Sequence, residues 1–222
     1  MMADRKAAAF FDFDRTLFKR ECARVGVDHL RRMRRLRVVP TLRALCANQL
    51  YKRHLLNEGP MLGVVLRLYA GLDSAELDEA GPRIYEREIK AGLATNVLER
   101  MEGHRRDGHL LVIVSAAIPY LVEPAARDLR VSHLLCTRME VGVDGRFTGR
   151  ARGPICAGDT KRVLVEKLAA EVGIDLERSF AYGNHQSDLA MLSAVGHPAA
   201  VNPTGKLREI ALARGWPIIE FE

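Results

Sequence analysis

The sequence predicts an α/β protein: a doubly wound, mostly parallel sheet with an all-helical segment inserted after its first strand. Three observations predict it. Short apolar runs at 7–11, 109–115 and 179–182 alternate with stretches of helix length, as in a parallel sheet covered on both faces. Residues 21–92, between the first two runs, show no strand pattern, only Leu, Met and Val recurring among Arg and Glu. The first run ends in Phe11-Asp12-Phe13-Asp14-Arg15-Thr16, two carboxylates one residue apart at the end of a buried strand. Parallel sheets place their chemistry beyond that end. Alternate strand side chains share a side, and paired carboxylates need a cation or a shared proton, so the pair indicates a metal site or an acid/base pair.

The elements follow in order. Residues 7–11 form the first buried strand, and 21–92 are helical with punctuation at Pro40, Gly59-Pro60, Gly71 and Gly81-Pro82. A helix from Thr95 leads through Gly103 to Gly108, and 109–115 is a second buried strand ending in the hydroxyl of Ser115. Residues 119–129 are helical and 134–141 extended, with Asp144-Gly145 as the turn of a hairpin that continues through Phe147-Thr148. Asp159-Thr160 cap a helix running to about Val172. Then come a strand (179–182), a loop (183–186), a helix (187–195), a strand (199–201), a helix (204–214) and a last strand (217–221). The expected organisation is a sheet core of residues 1–17 and 95–222 with a helical cap of residues 18–94 above the strand ends.

At 222 residues and 48% hydrophobic content the chain can bury one core with a modest inserted subdomain, which excludes a disordered class. No apolar stretch approaches the length of a membrane span, and the run after Lys6 is too short for a signal-peptide core before Asp12 interrupts it. The expected location is cytoplasmic. Cys22, Cys46, Cys136 and Cys156 form no metal or redox spacing and read as reduced thiols. The net charge of +6 comes largely from residues 19–53. Such a surface attracts phosphorylated metabolites, anionic lipids or nucleic acid, or is simply a solvated helix face. Nucleic acid is the weakest of these, because only Tyr51 offers stacking and no recognised motif is present.

Four separated segments fall where a parallel sheet brings them together: Asp12-x-Asp14-x-Thr16, Ser115, Lys161, and Gly183-Asn184-His185-Gln186-Ser187-Asp188. This order resembles the haloacid dehalogenase superfamily of phosphohydrolases, in its phosphoserine-phosphatase-like branch with a helical cap after the first motif. The resemblance spans almost the whole chain and implies a Rossmann-like core. It implies that Asp12 is a nucleophile forming an aspartyl phosphate and that Asp14 is the acid and base for leaving alcohol and water. Ser115 and Lys161 then hold phosphoryl oxygens, while Thr16, Glu21 and the backbone N–H of Ala116 contact substrate. A dianionic phosphate approaching a carboxylate needs a cation, and the family pattern holds Mg²⁺ through Asp12, Asp14 and the first position of the last motif. That position is Asn184 here, an amide in place of a carboxylate, which leaves Asp188 to share the ion.

The departures bear on substrate. Ala116-Ala117 stand where close phosphoserine phosphatases carry Gly-Gly, and Glu21 stands where they bind the substrate ammonium. Arg67 lies near, but out of register with, the arginine that binds its carboxylate. The expected partner is a small phosphorylated metabolite bearing an amine, such as phosphoserine, an amino-alcohol phosphate or histidinol phosphate. The bland reading of Glu21 is an ion pair with a cap arginine. A second reading takes the Leu/Arg-rich cap, with Val38-Val39, Leu42, Leu45 and Leu50, as a surface meeting anionic membranes and a phospholipid phosphate. Core packing is the commoner use of such positions. A third, from another class, is a catalytically weak phospho-ligand-binding protein. The sequence is silent on oligomeric state.

Overall fold

Residue alternation in the first strand fixes the architecture. In a computed structural model that describes residues 6–53 and 55–221, all four residues of β1 (Ala8–Phe11) are buried. Ala8 and Phe10 face one apolar cluster, Ala9 and Phe11 the other. A strand buried on both faces belongs in the middle of a covered sheet. Among the described residues the sheet has six parallel strands in the order β3 (His133–Cys136), β2 (Leu110–Ser115), β1, β6 (Phe180–Gly183), β7 (His197–Val201) and β8 (Ile218–Ile219). The chain winds outward from β1 to β2 and β3, then returns to β6 on its other side. The switch point of the sheet therefore lies between β1 and β6, where such sheets open a crevice beyond their carboxyl ends.

One face is covered by α5 (Thr95–Arg106), through Val97 and Met101, and α6 (Pro119–Asp128), through Leu121, Val122 and Ala125. The other is covered by α7 (Asp159–Val172), α8 (Leu189–Leu192) and α9 (Gly205–Ala213), through Val165, Leu168, Met191 and Leu207. The doubly wound, mostly parallel fold expected from the sequence is the fold observed. Residues 1–5 and 222 of the expected core lie outside the described residues.

The helical segment comprises α1 (Cys22–Arg32), α2 (Val38–Lys52), α3 (Glu58–Leu66) and α4 (Ser74–Ile84), followed by a wide π-type turn at Tyr85–Ile89. The chain enters and leaves it side by side. The Ala94 N–H donates to the Leu17 carbonyl at 2.8 Å and the Lys19 N–H to that of Gly92 at 2.9 Å. Gly92 is required there, since a Cβ would lie 2.7 Å from the Phe18 ring. A second fastening comes from a hairpin of β4 (Met139–Val141) and β5 (Phe147–Ala151). Gly71 and Phe147 N–H groups donate to the carbonyls of Phe147 and Leu72 at 2.8 and 2.9 Å, and Ser74 N–H donates to that of Gly145 at 3.0 Å. No helix among the described residues is long and apolar enough to cross a membrane.

Several expectations are corrected. The extended stretch 134–141 is two strands of different sheets, because the Thr137 N–H turns to the Ala117 carbonyl and its hydroxyl accepts from the Cys156 N–H. Pro40 and Pro60 sit in the first turns of α2 and α3, where a missing N–H costs nothing, so they begin helices. Pro82 lies inside α4, ahead of the π-type turn. The cap of α7 is Gly158, at φ +56°, in place of Asp159-Thr160. The helix expected over 187–195 is a 3₁₀ turn (Gln186–Asp188) and the single turn of α8. Val38, Val39, Leu42, Leu45 and Leu50, for which core packing was the commoner expectation, are exposed.

At the amino ends of the strands, His104 on α5 is buried against His109 (Nδ1 to Nδ1, 2.9 Å) and the Tyr182 hydroxyl (Nε2 to Oη, 2.7 Å). Burial, aided by the His109 charge, pushes its pKa down to about 4 from near 6.5. The folded state thus prefers the neutral ring, and below about pH 6.5 the unfolded chain takes the proton first. This contribution to stability is present above about pH 6.5, is lost as pH falls, and is exhausted below about 4. Urea unfolding across that window, compared with His104→Gln, is expected to show a shallower loss in the variant; equal slopes would contradict the assignment.

Candidate active site

Asp12 follows β1 directly, and its N–H donates to the Tyr182 carbonyl at 2.9 Å, continuing the ladder with β6 for one residue. That anchors its carboxylate at the switch point. Lys161 enters from the first turn of α7, where a cation opposes the helix dipole and gains nothing from the helix itself. Its Nζ lies 2.6 Å from Asp12 Oδ1 and 2.6 Å from Asp188 Oδ1. The Thr16 hydroxyl donates to Asp12 Oδ2 at 2.9 Å. Asp188 Oδ2 accepts from the N–H groups of Asn184 and His185, both at 3.0 Å, so the loop after β6 is folded around that carboxylate. Asp12, Thr16, Lys161, Asn184 and Asp188 are all buried.

The charges do not balance. Two buried carboxylates share one ammonium, so burial and then the Asp188 charge raise the Asp12 pKa against the opposing pull of Lys161. Burial alone would lower the Lys161 ammonium; Asp12 and Asp188 outweigh it and hold it well above its ordinary range. Asp14 is partly buried and adds a third carboxyl group, pushed up to about 6 by burial against the lowering effect of the Cys22 N–H, which donates to its Oδ1 at 2.9 Å. The carboxyl of Asp14 thereby caps the start of α1. Its backbone is shaped by Arg15, at φ +58°, which turns the chain so that the Phe18 N–H reaches the Phe13 carbonyl at 2.8 Å. The candidate donors are oxygens, namely the Asp12 and Asp188 carboxylates, the Asp14 backbone carbonyl and the Asn184 amide oxygen. An oxygen set short of positive charge fits a hard divalent cation such as Mg²⁺.

The remaining expected residues lie around this centre. Ser115 is buried at the end of β2, beside β1, and its hydroxyl accepts from the Ala117 N–H at 3.0 Å. Ala116 is half-buried within that turn. Glu21 is exposed at the rim and ion-paired with Arg15 at 2.8 Å. One contact had no signal in the sequence: Tyr51 on α2 reaches down to the last motif, its hydroxyl 3.4 Å from His185 Nε2.

The profile of the haloacid dehalogenase-like hydrolases matches residues 9–193. The chain is 34% identical over 224 residues to the phosphoserine phosphatase SerB1 of Mycobacterium tuberculosis, across 98% of this chain and 72% of that protein. It is 45% identical over 121 residues to the inhibition of morphological differentiation protein of Streptomyces azureus, across 54% of this chain and only 43% of that longer protein. A protein of unknown function from Bordetella pertussis superposes with a TM-score of 0.85 at 31% identity, over 97% of this chain and 98% of that one. The chain belongs to the haloacid dehalogenase-like hydrolase family.

Removing the ammonium would leave two carboxylates buried together. Lys161→Met is expected to cost about 3–5 kcal/mol in urea unfolding. Adding Asp188→Asn to that variant should recover part of the loss, since one uncompensated charge goes with it. A loss under about 1 kcal/mol for Lys161→Met would show that the lysine does not balance the site.

Proposed function

We propose that the chain is a Mg²⁺-dependent phosphomonoester hydrolase of the phosphoserine-phosphatase type, working through an aspartyl phosphate on Asp12. The observation that carries this reading is the placement of Asp12: a buried carboxylate at the switch point, oriented by Lys161 and Thr16, two residues from a second carboxyl group. In the first step an Asp12 oxygen attacks phosphorus and the P–O bond to the alcohol breaks, with the Asp14 carboxyl supplying the alcohol's proton. Burial, which pushes the Asp14 pKa up to about 6, favours the protonated form this requires. In the second step Asp14, now a carboxylate, takes a proton from water as the water attacks phosphorus, and the Asp12 carboxylate leaves. Lys161 and Ser115 hold phosphoryl oxygens in both steps, aided by the backbone N–H of Ala116.

Asp12, the Asp14 backbone carbonyl, Asn184 and Asp188 would hold Mg²⁺, which when bound offsets the repulsion between Asp12 and a dianionic phosphate. Residues 18–94 are assigned as a cap that excludes water and selects substrate, above a core of residues 1–17 and 95–222. The paired backbone where the chain enters and leaves the helices supports that division. The expected substrate is a small phosphate ester bearing an amine. Glu21 would exchange Arg15 for the substrate ammonium, and the similarity to a relative named phosphoserine phosphatase supports this class.

Phosphate release from a panel of phosphoserine, histidinol phosphate and phosphocholine tests the reading. Asp12→Asn is expected to lower release by at least about a thousandfold, and a chelator should abolish it with recovery on adding Mg²⁺. Glu21→Gln should raise KM for amine-bearing esters about tenfold with little change in kcat. Release that survives both Asp12→Asn and chelation would overturn the mechanism. A KM unchanged in Glu21→Gln would remove the amine assignment alone.

A further inference from the structure

The inward face of α2 is formed by Pro40, Thr41, Ala44, Ala47, Asn48 and Tyr51, mostly small or polar, while its larger aliphatic residues point outward. Val38 is 74% exposed, Leu42 56% and Leu45 57%. With Val39, Cys46 and Leu50 they form one stripe on the solvent side, about 18 Å long at 1.5 Å per residue. This is the reverse of the arrangement that packs a helix onto a core.

Its charge is equally one-sided. Between Asp28 and Glu58 the sequence carries eight Lys and Arg and no Asp or Glu. Arg43 and Lys52, nine residues apart, lie about 180° apart around the helix and so border the stripe on opposite edges. Arg37 stands at one end of the stripe and Arg53 at the other, and all four of these cations are exposed. Arg32 is engaged by Glu88, and Arg35 reaches Glu76 only at 4.0 Å.

We propose that α2 is a docking surface for an anionic phospholipid bilayer, lying along the membrane with the Val/Leu stripe in the acyl boundary and the bordering cations among the headgroups. Long basic side chains reach headgroups from such a depth, and anionic lipid complements a helix that carries cations and no acidic residue. A second copy of the chain is the poorer occupant, because a symmetric contact would bring two such basic rims together. The contact between Tyr51 and His185 ties the inner face of this helix to the loop after β6, so docking would hold the site close to the membrane.

Co-sedimentation at low salt with phosphatidylcholine vesicles, with and without phosphatidylglycerol, tests the proposal. The bound fraction is expected to rise about tenfold with phosphatidylglycerol, and to fall about tenfold in Leu42→Glu/Leu45→Glu and again in high salt. Both leucines are exposed on the solvent side of α2 and belong to none of the groups assigned to the reaction, so phosphate release from a soluble ester should be unchanged in that variant. Activity is therefore read separately from docking. Three results would overturn the proposal: no binding to anionic vesicles at low salt, binding indifferent to the two leucines, or a dimer in sedimentation velocity that the double variant dissociates.

Discussion

The constraint on which the rest of the structure depends is a buried charge deficit. Asp12 and Asp188, brought from the ends of two strands on either side of the switch point, share one ammonium, that of Lys161. Two desolvated carboxylates within reach of each other are tolerated only with such a cation, so three distant segments of the chain are tied to one point. The loop after β6 takes its shape from the same group, because the second oxygen of Asp188 collects the N–H groups of Asn184 and His185. What the lysine leaves uncompensated is the capacity for a further cation, and that links a stability argument to the proposed chemistry.

The helical segment is fastened to this point by identifiable contacts. The Asp14 carboxyl caps α1, so the first turn of the helical segment is attached to the candidate site itself. The hairpin of β4 and β5 fastens the 71–74 turn from the other side, and Tyr51 touches the final motif. These contacts leave the outer face of α2 as an apolar surface not used by the fold. A helix held by small residues and one tyrosine is cheap to present outward, and its aliphatic stripe needs a partner outside the chain to be covered.

Much of this was legible in the sequence, for identifiable reasons. Strand period and length marked β1, β2 and β6. Asp12 and Asp14 announced themselves as carboxylates closing an apolar strand, whereas Lys161 was marked only by its place in the order of the four motifs. Other features had no sequence signature. The backbone bonds between residues 71–74 and the hairpin carry no pattern, and neither does the turn of the Thr137 N–H to the Ala117 carbonyl that divides 134–141 into two strands. The capping role of Asp14 depends on a turn at Arg15 with positive φ, a conformation few arginines adopt. Periodicity in α2 told which residues share a face, but not whether that face meets protein or solvent. That decision belongs to tertiary packing, and here it ran against the commoner outcome.

The central claim is that Asp12 itself carries the phosphoryl group. The most direct measurement is to mix the protein with a substrate ester and Mg²⁺, quench in acid within one turnover, and locate the label by peptide mass spectrometry. The account predicts a phosphoryl group on Asp12, absent in Asp12→Asn and formed no more slowly than phosphate is released. Phosphate released at full rate with no label on Asp12, or label on another side chain, would contradict it.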